Sequence, residues 1–302
     1  GRNGFVSVYN WKTGEIVCLV SMPTLDPAQE VNKDSVPTGT YINKALSSKF
    51  TPGSTFKLVT TAAALENIDD INTRTFTCTG STLIDGEKIT CPKAHGTMDI
   101  YGALSNSCNC AYASLAVELG GDIMAEYTEK LGLTSSYDVD GIKTAPGSFN
   151  FDTYNINIGW AGIGQFEDEV NPLSMMVYMG AIAGDGKAAK PCLIKSTGKS
   201  LLPGSDSSAR AGTVSLLSSE TAKQIKDMMR NNVKSNYGDS NYPGLELHAK
   251  SGTAEVGSGK APHSWFCGFS GDYAFVVCVE NGGYGAYVAG PVANRVLQQI
   301  TK

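Results

Sequence analysis

The sequence predicts an α/β lobe joined to an all-α lobe: a mixed, mainly antiparallel sheet flanked by helices, with a helical lobe inserted into it. Two observations lead to this prediction. Short Val-rich strand patterns lie at both ends of the chain, and helical patterns fill its middle. Strands from both ends must meet in one sheet, so the helices between them form an insertion. We expect a single domain over 1–302, with the α/β lobe at about 1–50 and 186–302 and the helical lobe at about 51–185.

Local patterns justify each element in order. The turn signal Trp11-Lys12-Thr13-Gly14 separates apolar runs at 4–10 and 15–21, which predicts a hairpin. Gly120-Gly121 is a helix stop, and Gly271-Asp272 indicates a second hairpin turn. The other predicted elements are a helix that begins at 52–54, helices over 107–119, 122–131, 172–183, 218–233 and 287–300, and strands over 190–195, 245–250, 264–270 and 273–280.

Composition excludes several classes of protein. The 302 residues are 41% hydrophobic and 18% charged, which is typical of a chain with a sizeable core. The net charge of −5 disfavours a nucleic-acid binder, which usually has a basic face. No run approaches the ~20 apolar residues of a membrane span, and no secretory signal opens the chain. The abrupt start at Gly1 suggests a domain excised from a longer protein.

The first motif with chemical potential is Ser54-Thr55-Phe56-Lys57, which follows Pro52-Gly53 at a predicted helix start. Positions i and i+3 share a helix face, so the Lys57 amine can reach the Ser54 hydroxyl. The amine can act as a base only if burial or nearby positive charge lowers its pKa. S-x-x-K alone is weak evidence, because a capping serine beside a solvated lysine has the same pattern. A second match, Ser196-Thr197-Gly198-Lys199, is interpreted as a turn.

Two further motifs supply partners for a serine nucleophile. Ser107-Cys108-Asn109 starts a predicted helix, where a hydroxyl can relay a proton and an amide can hold a substrate amide; a plain capping role is the alternative. Lys250-Ser251-Gly252-Thr253 ends a predicted strand and offers a positive charge, two hydroxyls for a carboxylate and a glycine that lets a ligand approach. Literal matches at Ser148-Phe149-Asn150 and Lys12-Thr13-Gly14 are explained by a loop and a turn.

The three motifs together are far more specific than any one of them. S-x-x-K, S-x-N and K-[ST]-G occur in this order in penicillin-binding proteins and class A β-lactamases. At these residues the chain resembles the penicillin-binding protein transpeptidase family, especially its class B (monofunctional) members, over nearly its whole length. The resemblance implies a β-lactamase/transpeptidase-like fold. It is carried by Pro52-Gly53-Ser54-Thr55-Phe56-Lys57, His95-Gly96-Thr97-Met98-Asp99, Gly162-Ile163-Gly164-Gln165, Asn171-Pro172-Leu173 and Trp265-Phe266-Cys267-Gly268-Phe269.

The resemblance also implies an activity: a D,D-transpeptidase that cross-links peptidoglycan stem peptides through an acyl-enzyme on Ser54 and is covalently inhibited by β-lactams. Lys57 is then the general base, Ser107 relays a proton to the leaving amine, and Asn109 holds the acyl-side amide. The backbone N–H groups of Ser54 and Thr253 form the oxyanion hole. The implied catalytic residues are Ser54, Lys57, Ser107, Asn109 and Lys250, and the implied substrate-binding residues are Ser251, Gly252 and Thr253.

Partners and location follow from the same resemblance. The implied partners are stem peptides ending in D-Ala-D-Ala, β-lactam antibiotics and a glycosyltransferase of the cell-wall machinery, with no nucleic acid among them. The implied location is the extracytoplasmic face of the bacterial cell membrane, with the anchor outside this chain. The mechanism requires no metal and no organic cofactor, so no metal ligands are expected.

Three alternative functions remain open at this level. A D,D-carboxypeptidase uses water as the acceptor in place of an amine. A serine β-lactamase shares the motifs and adds a base for fast deacylation; Glu167-Asp168-Glu169-Val170-Asn171 has some likeness to the segment that supplies this base in class A enzymes. A non-catalytic β-lactam sensor domain is a binding module that acylates and stops.

One pair of cysteines suggests a disulfide. Cys78 and Cys91 flank the turn signal Asp85-Gly86, which predicts a hairpin with arms at 76–78 and 88–91. Cysteines that face each other across such a hairpin can form a disulfide, and we expect the pair to lie far from the nucleophile. Two free thiols are the alternative.

A metal site is the other hypothesis for the same segment. Cys78, Cys91 and His95 together suggest zinc, but a fourth ligand is not apparent. Cys108 is interpreted as a small buried residue, and Cys108 and Cys110 as a poor metal pair because they face different directions on a helix.

Overall fold

The computed structural model describes residues 2–26, 28, 36–194, 212–257 and 259–301. Its strands are β1 (Gly4–Asn10), β2 (Ile16–Met22), β3 (Phe76–Cys78), β4 (Ser81–Ile84), β5 (Glu87–Thr90), β6 (Gly96–Met98), β7 (Asp138–Val139), β8 (Ile142–Lys143), β9 (Lys187–Ala189), β10 (Thr213–Ser215), β11 (His248–Ala254), β12 (His263–Ser270) and β13 (Tyr273–Val279). Its α-helices are α1 (Lys44–Ser47), α2 (Lys57–Asn67), α3 (Ile100–Ser105), α4 (Asn109–Lys130), α5 (Asn155–Ala161), α6 (Pro172–Ala183), α7 (Ser219–Asn232) and α8 (Gly285–Ile300). The predicted turn at 196–199 lies outside the described residues.

One five-stranded sheet joins the two ends of the chain in the order β11-β12-β13-β1-β2. Gly4 of β1 lies opposite Val279 of β13, so the N-terminal and C-terminal strands meet as predicted. All four neighbouring pairs are antiparallel, so this sheet is antiparallel throughout and not mixed. Both predicted hairpins, β1–β2 and β12–β13, are present.

The two faces of the sheet pack against different helices. Along β12, Trp265 and Cys267 belong to the core that contains α6, whereas Phe266 belongs to the core that contains α8. Because helices cover both faces, β12 and β13 are buried almost without interruption, and their sequences are near-continuous apolar runs. α6 is buried on all sides, in agreement with its uniformly apolar sequence.

The middle of the chain is mainly helical, but it also contains three small two-stranded sheets: β3 with β6, β4 with β5, and β7 with β8. α4 packs against α2 and α5. The helices predicted on either side of Gly120-Gly121 are joined in α4 with a kink at Gly120, whose φ of 79° and ψ of 164° are not helical. Within the described residues, no helix combines the length and apolar character needed to cross a membrane. The division of one domain into two lobes stays a prediction.

Two strand predictions are wrong. The strand expected at 190–195 is absent from 190–194, the part of that range that the structure describes; β9 ends just before it at Ala189, and Pro191 has no N–H to donate to a ladder. The strand expected at 245–250 begins at His248 and continues to Ala254, because its pairing with β12 extends to His263. The K-[ST]-G motif therefore lies inside a strand and not at its end.

Of the two alternatives for Cys78 and Cys91, the structure has the free thiols and not the disulfide, and the other six cysteines are free as well. The turn at Asp85-Gly86 is present, but it joins β4 to β5, whereas the strand that contains Cys78 pairs with β6. Cys78 and Cys91 therefore do not face each other across one hairpin. Nor is the pair remote from the nucleophile, because Cys91 lines the same cavity as Ser54.

Candidate active site

Ser54 lies in a tight 3-10 turn, Gly53–Thr55, that leads into α2. Gly53 has a φ of 54°, and a Cβ there would come 2.8 Å from the carbonyl oxygen of Thr253, so only glycine allows the turn to approach β11 this closely. On the other side, the Gly53 N–H donates to the Gly164 carbonyl across 2.8 Å. The serine is therefore held between the sheet and the segment Gly162-Ile163-Gly164-Gln165.

The amine of Lys57 connects the first two motifs. Its Nζ lies 3.0 Å from Ser54 Oγ, 3.2 Å from Ser107 Oγ and 2.7 Å from Asn109 Oδ1. It also donates to the Ser107 carbonyl across 2.8 Å. The side chain is fully buried. Ser54 and Lys57 are therefore in contact, as their i, i+3 relation predicts, although Ser54 lies in the 3-10 turn and Lys57 is the first residue of α2.

Ser107 lies between two lysines, just before α4. Its φ of 51° is in the left-handed region, which a serine adopts rarely, and such backbone strain is often found at functional sites. Lys250 Nζ donates to Ser107 Oγ across 3.0 Å. Two residues further on, Asn109 Nδ2 donates to the Thr90 carbonyl across 2.8 Å, which orients the amide.

The third motif, Lys250-Ser251-Gly252-Thr253, lies on β11 and faces the residues at the starts of α2 and α4. Lys250 Nζ also donates to the Ser251 carbonyl across 2.8 Å. Tyr237, which sequence reasoning missed, accepts the Ser251 N–H at 2.9 Å and donates to Ser251 Oγ at 3.0 Å. A Cβ at Gly252 would lie 2.9 Å from the Pro52 carbonyl oxygen, so this glycine lets β11 pack against the turn that carries Ser54. The motif therefore both supports the turn and presents hydroxyls.

The electrostatics separate the roles of the two lysines. Burial lowers the pKa of Lys57 well below the usual value for lysine, and the positive charge of Lys250 lowers it further. Burial lowers the pKa of Lys250 to about 8. A depressed pKa favours the neutral amine, which is the form that can accept the proton of a serine. Lys57 is therefore the candidate base, and Lys250 the candidate cation.

These groups surround a cavity of about 480 Å³. Of the predicted site residues, five line it: Ser54, Ser107, Asn109, Ser251 and Thr253. Lys57, Lys250 and Gly252 are buried behind its wall. Sequence reasoning missed most of the remaining lining, because hairpin and loop residues without a motif carry no signal of their own; the further lining residues are Thr90, Cys91, Pro92, Asn106, Trp160, Ile163, Gln165, Glu255 and Tyr284.

The arrangement suits nucleophilic acyl transfer. A serine at the start of a helix is within hydrogen-bond reach of a buried amine, and a second hydroxyl bridges that amine to a second lysine. The oxyanion hole expected at the N–H groups of Ser54 and Thr253 stays a prediction; the two residues lie on the turn Gly53–Thr55 and on β11, which pack closely against each other. The remaining hydroxyls and the amide of Asn109 face the cavity and can bind a peptide-like substrate.

Comparisons with known proteins identify the family of the chain. Residues 4–298 match the penicillin-binding protein transpeptidase domain. The chain is 27% identical to the peptidoglycan D,D-transpeptidase PbpA of Mycobacterium tuberculosis, over 98% of this chain and 66% of that protein. It is also 27% identical to stage V sporulation protein D of Bacillus subtilis, over 98% of this chain and 49% of that protein. The chain thus spans about two-thirds or less of the length of these relatives.

Solved structures give the same result for the fold. The ceftriaxone acyl-enzyme complex of penicillin-binding protein A from M. tuberculosis superposes with a TM-score of 0.88 at 25% identity, over 100% of this chain and 74% of that one. The imipenem acyl-enzyme complex of the same protein has a TM-score of 0.85 at 26% identity, over 100% and 74%. The transpeptidase domain of a peptidoglycan glycosyltransferase from Eggerthella lenta has a TM-score of 0.84 at 24% identity, over 99% and 78%.

Proposed function

The chain belongs to the penicillin-binding protein transpeptidase family, and from that premise we propose that it is a serine D,D-transpeptidase that cross-links peptidoglycan stem peptides. The observation that carries the proposal is the position of Lys57 Nζ, 3.0 Å from Ser54 Oγ and within hydrogen-bond distance of both polar residues of the S-x-N motif. A buried amine with a lowered pKa at this position can activate the serine.

The first half-reaction forms the acyl-enzyme. Neutral Lys57 takes the proton of Ser54 as Oγ attacks the carbonyl carbon of the penultimate D-alanine. The carbonyl oxygen becomes an oxyanion that accepts hydrogen bonds from the N–H groups of Ser54 and Thr253. The C–N bond to the terminal D-alanine then breaks, and the leaving amine receives a proton through the Ser107 hydroxyl, which lies between the two lysines. Terminal D-alanine departs, and the acyl group stays on Ser54.

The second half-reaction transfers the acyl group. An amine of a neighbouring stem peptide attacks the ester, its proton passes back through Ser107 and Lys57, and Ser54 is released. Asn109 holds the acyl-side amide throughout. Lys250, Ser251 and Thr253 bind the terminal carboxylate of the donor, beside Gly252. β-Lactams carry a carboxylate and a reactive amide, so they acylate Ser54 by the same steps and block the site.

Partners and location follow from the family. Penicillin-binding proteins of this kind act in cell-wall synthesis, so we place the domain on the extracytoplasmic side of a bacterial cell membrane. Stem peptides ending in D-Ala-D-Ala are its proposed substrates. One similar chain comes from a peptidoglycan synthase complex that coordinates polymerization and crosslinking, which supports a glycosyltransferase of the cell-wall machinery as partner.

The acidic segment that resembles a β-lactamase base does not favour hydrolysis. Glu167 accepts a hydrogen bond from Asn150 across 2.8 Å, and Glu169 pairs with Lys49 at 2.8 Å. Asp168 is fully buried, and burial raises its pKa well above the usual value for a carboxyl. None of these three carboxylates lines the cavity of Ser54, whereas Glu255 does.

A time course with labelled penicillin tests the proposal. Label that persists on Ser54 supports a penicillin-binding protein, and rapid release of hydrolysed penicillin, slowed in Glu255→Gln, would favour a β-lactamase. A second assay offers a D-Ala-D-Ala peptide with an amine acceptor present. Peptide dimer together with released D-alanine supports transpeptidation, whereas D-alanine release without dimer at saturating acceptor would indicate a D,D-carboxypeptidase. A chain that is labelled but processes neither substrate would be a sensor domain.

A further inference from the structure

Four separate segments bring three thiols and an imidazole together beside the active site. Cys78 ends β3, Cys91 follows β5, His95 precedes β6, and Cys108 is the N-cap of α4. Their ligand atoms all lie within 4.8 Å of one another. We propose that Cys78, Cys91, His95 and Cys108 bind a structural zinc ion, a function beyond the proposed acyl transfer. Cys108 is the fourth ligand that sequence spacing did not reveal.

Two of the six distances among the ligand atoms match those of a bound zinc ion, and the other four are no longer than 4.8 Å. A tetrahedral zinc ion with Zn–S bonds of about 2.3 Å and Zn–N bonds of about 2.0–2.1 Å places two sulfurs about 3.8 Å apart and a sulfur and a nitrogen about 3.5 Å apart. In the structure, Cys91 Sγ lies 3.8 Å from Cys108 Sγ, and Cys78 Sγ lies 3.5 Å from His95 Nδ1. Three thiolates and one imidazole are a ligand set typical of structural zinc, with all four positions filled by protein.

Main-chain donors also point at these sulfurs. The N–H groups of Asn109 and Cys110 lie 3.1 Å and 3.5 Å from Cys91 Sγ, and the N–H of Ala111 lies 3.5 Å from Cys108 Sγ. These are free donors of the first turn of α4, where the helix dipole favours negative charge. They stabilise thiolates, and hydrogen bonds to ligand atoms are the outer support that metal sites commonly have.

The burial of the cluster is also that of a closed site. Cys78 and Cys108 are buried, and Cys91 and His95 are half-buried, so the metal would lie just under the surface with a path of entry. Cys110 is a neighbour whose Sγ lies 3.5 Å from Cys91 Sγ, but it is not one of the four mutually close atoms. Closed coordination leaves no position for substrate, so the zinc would not take part in the acyl transfer.

The position of the site indicates what the metal would do. It would fasten the end of β3 at Cys78, the end of the β4–β5 hairpin at Cys91 and the residue before β6, His95, to the N-cap of α4 at Cys108. Ser107 and Asn109 lie on either side of Cys108 in the chain. The small hairpins have few strand pairs of their own, and two-stranded sheets are marginal in water. A zinc ion would therefore hold the S-x-N motif in the conformation that Lys57 and Lys250 contact.

Metal analysis of the whole chain tests this proposal. The protein is purified under reducing conditions without chelator, and zinc is measured per chain. We expect about one zinc ion, reduced to a small fraction in Cys78→Ser and His95→Gln and unchanged in Cys18→Ser, a half-buried cysteine on β2 outside the cluster. Cobalt added to the metal-free protein should give the absorption bands of tetrahedral cobalt with thiolate ligands, and Cys78→Ser should weaken them.

The outcomes are decisive in either direction. Zinc well below one ion per chain, both as purified and after titration with zinc sulfate under reducing conditions, would overturn the site. So would a disulfide among these cysteines in metal-free protein that still labels with penicillin at the full rate. Loss of zinc in Cys110→Ser but not in Cys78→Ser would overturn the ligand set. Because penicillin labelling is measured separately, failure of the zinc site and failure of the proposed transpeptidase activity are distinguishable.

Discussion

Lys250 Nζ donates a hydrogen bond to Ser107 Oγ across 3.0 Å, and this contact joins the five-stranded sheet to the start of α4. The two residues are far apart in the chain, and both lie close to the candidate nucleophile, Ser54. Ser107 also lies 3.2 Å from Lys57 Nζ, so one hydroxyl links a candidate base to a candidate cation. The geometry around Ser54 therefore depends on the packing of the sheet against the helices.

Ser54→Ala should abolish covalent labelling by penicillin while the protein stays folded. Ser54 Oγ is the atom that Lys57 contacts, and alanine removes it without changing the turn. Labelling would be followed by mass spectrometry of the intact chain and folding by circular dichroism. Ser196→Ala, in the other S-x-x-K match, is the control and should label at the full rate. Undiminished labelling of Ser54→Ala would disprove the assignment of the nucleophile.

The rate of acylation should rise and then fall with pH. Lys57 must be neutral to accept a proton, so the rate rises as pH passes its depressed pKa, below the ordinary lysine range. Lys250 acts as a cation, so the rate falls as pH passes its pKa of about 8. Initial rates of penicillin labelling at constant ionic strength measure this profile, and circular dichroism at each pH checks that the protein stays folded. A rate that is flat from neutral pH to about 10, the free-lysine range, would contradict both roles.

Ser107→Ala should slow acylation by roughly 10²–10⁴-fold, the usual contribution of a positioned proton-transfer group. The change removes the hydroxyl that links Lys57 and Lys250 but leaves both lysines in place. Stopped-flow labelling compares the variant with the parent. Ser148→Ala, in the second S-x-N match, should differ little, since Ser148 bonds Lys49 and lies outside the cavity lining. Equal rates in the two variants would refute the relay.

Tyr237→Phe should weaken binding of the carboxylate about tenfold, because it leaves the Ser251 N–H without its partner; an unsatisfied donor costs about 1–3 kcal/mol. The ring still packs on Phe266, 5.3 Å away, so the fold should persist. The concentration dependence of labelling gives the apparent affinity. The matched control is Tyr242→Phe. Tyr242 also stacks on Phe266, so this variant loses a hydroxyl from a second ring that packs on the same phenylalanine. An unchanged affinity in Tyr237→Phe would remove Tyr237 from the site.

Gly164→Ala should lower both stability and acylation. Gly164 has a φ of 79°, and a Cβ there would come 2.0 Å from the Gly53 carbonyl oxygen, so the change displaces the nucleophile turn. Gly86→Ala is the control: its φ of 85° is equally unfavourable for alanine, about 1–2 kcal/mol, but the space around it is open. Urea unfolding and labelling are compared. Equal losses in both variants would mean that the contact with Gly53 has no role.

Much of the fold could be predicted from local patterns. The hairpin β1–β2 and the bounds of α6 follow from turn residues and apolar periodicity, and these signals depend only on neighbours in the chain. The C-terminal end of β11 could not be predicted from local patterns, because the length of β11 depends on its pairing with β12, which continues to Ala254. The pairing of β3 with β6 likewise depends on a strand beyond the Asp85-Gly86 hairpin.

For the site, the order and the chemical types of the three motifs, and the i, i+3 relation of Ser54 and Lys57, could be read from the sequence. The contacts between the motifs, and those among the proposed zinc ligands, come from the folding of the whole chain. The bond from Lys250 to Ser107, the support of Ser251 by Tyr237 and the approach of Cys108 to Cys91 all join distant segments. A depressed lysine pKa needs burial as well as a charged neighbour, and both arise from packing. Spacing along a chain cannot encode such contacts, because it constrains only residues close enough to share an element.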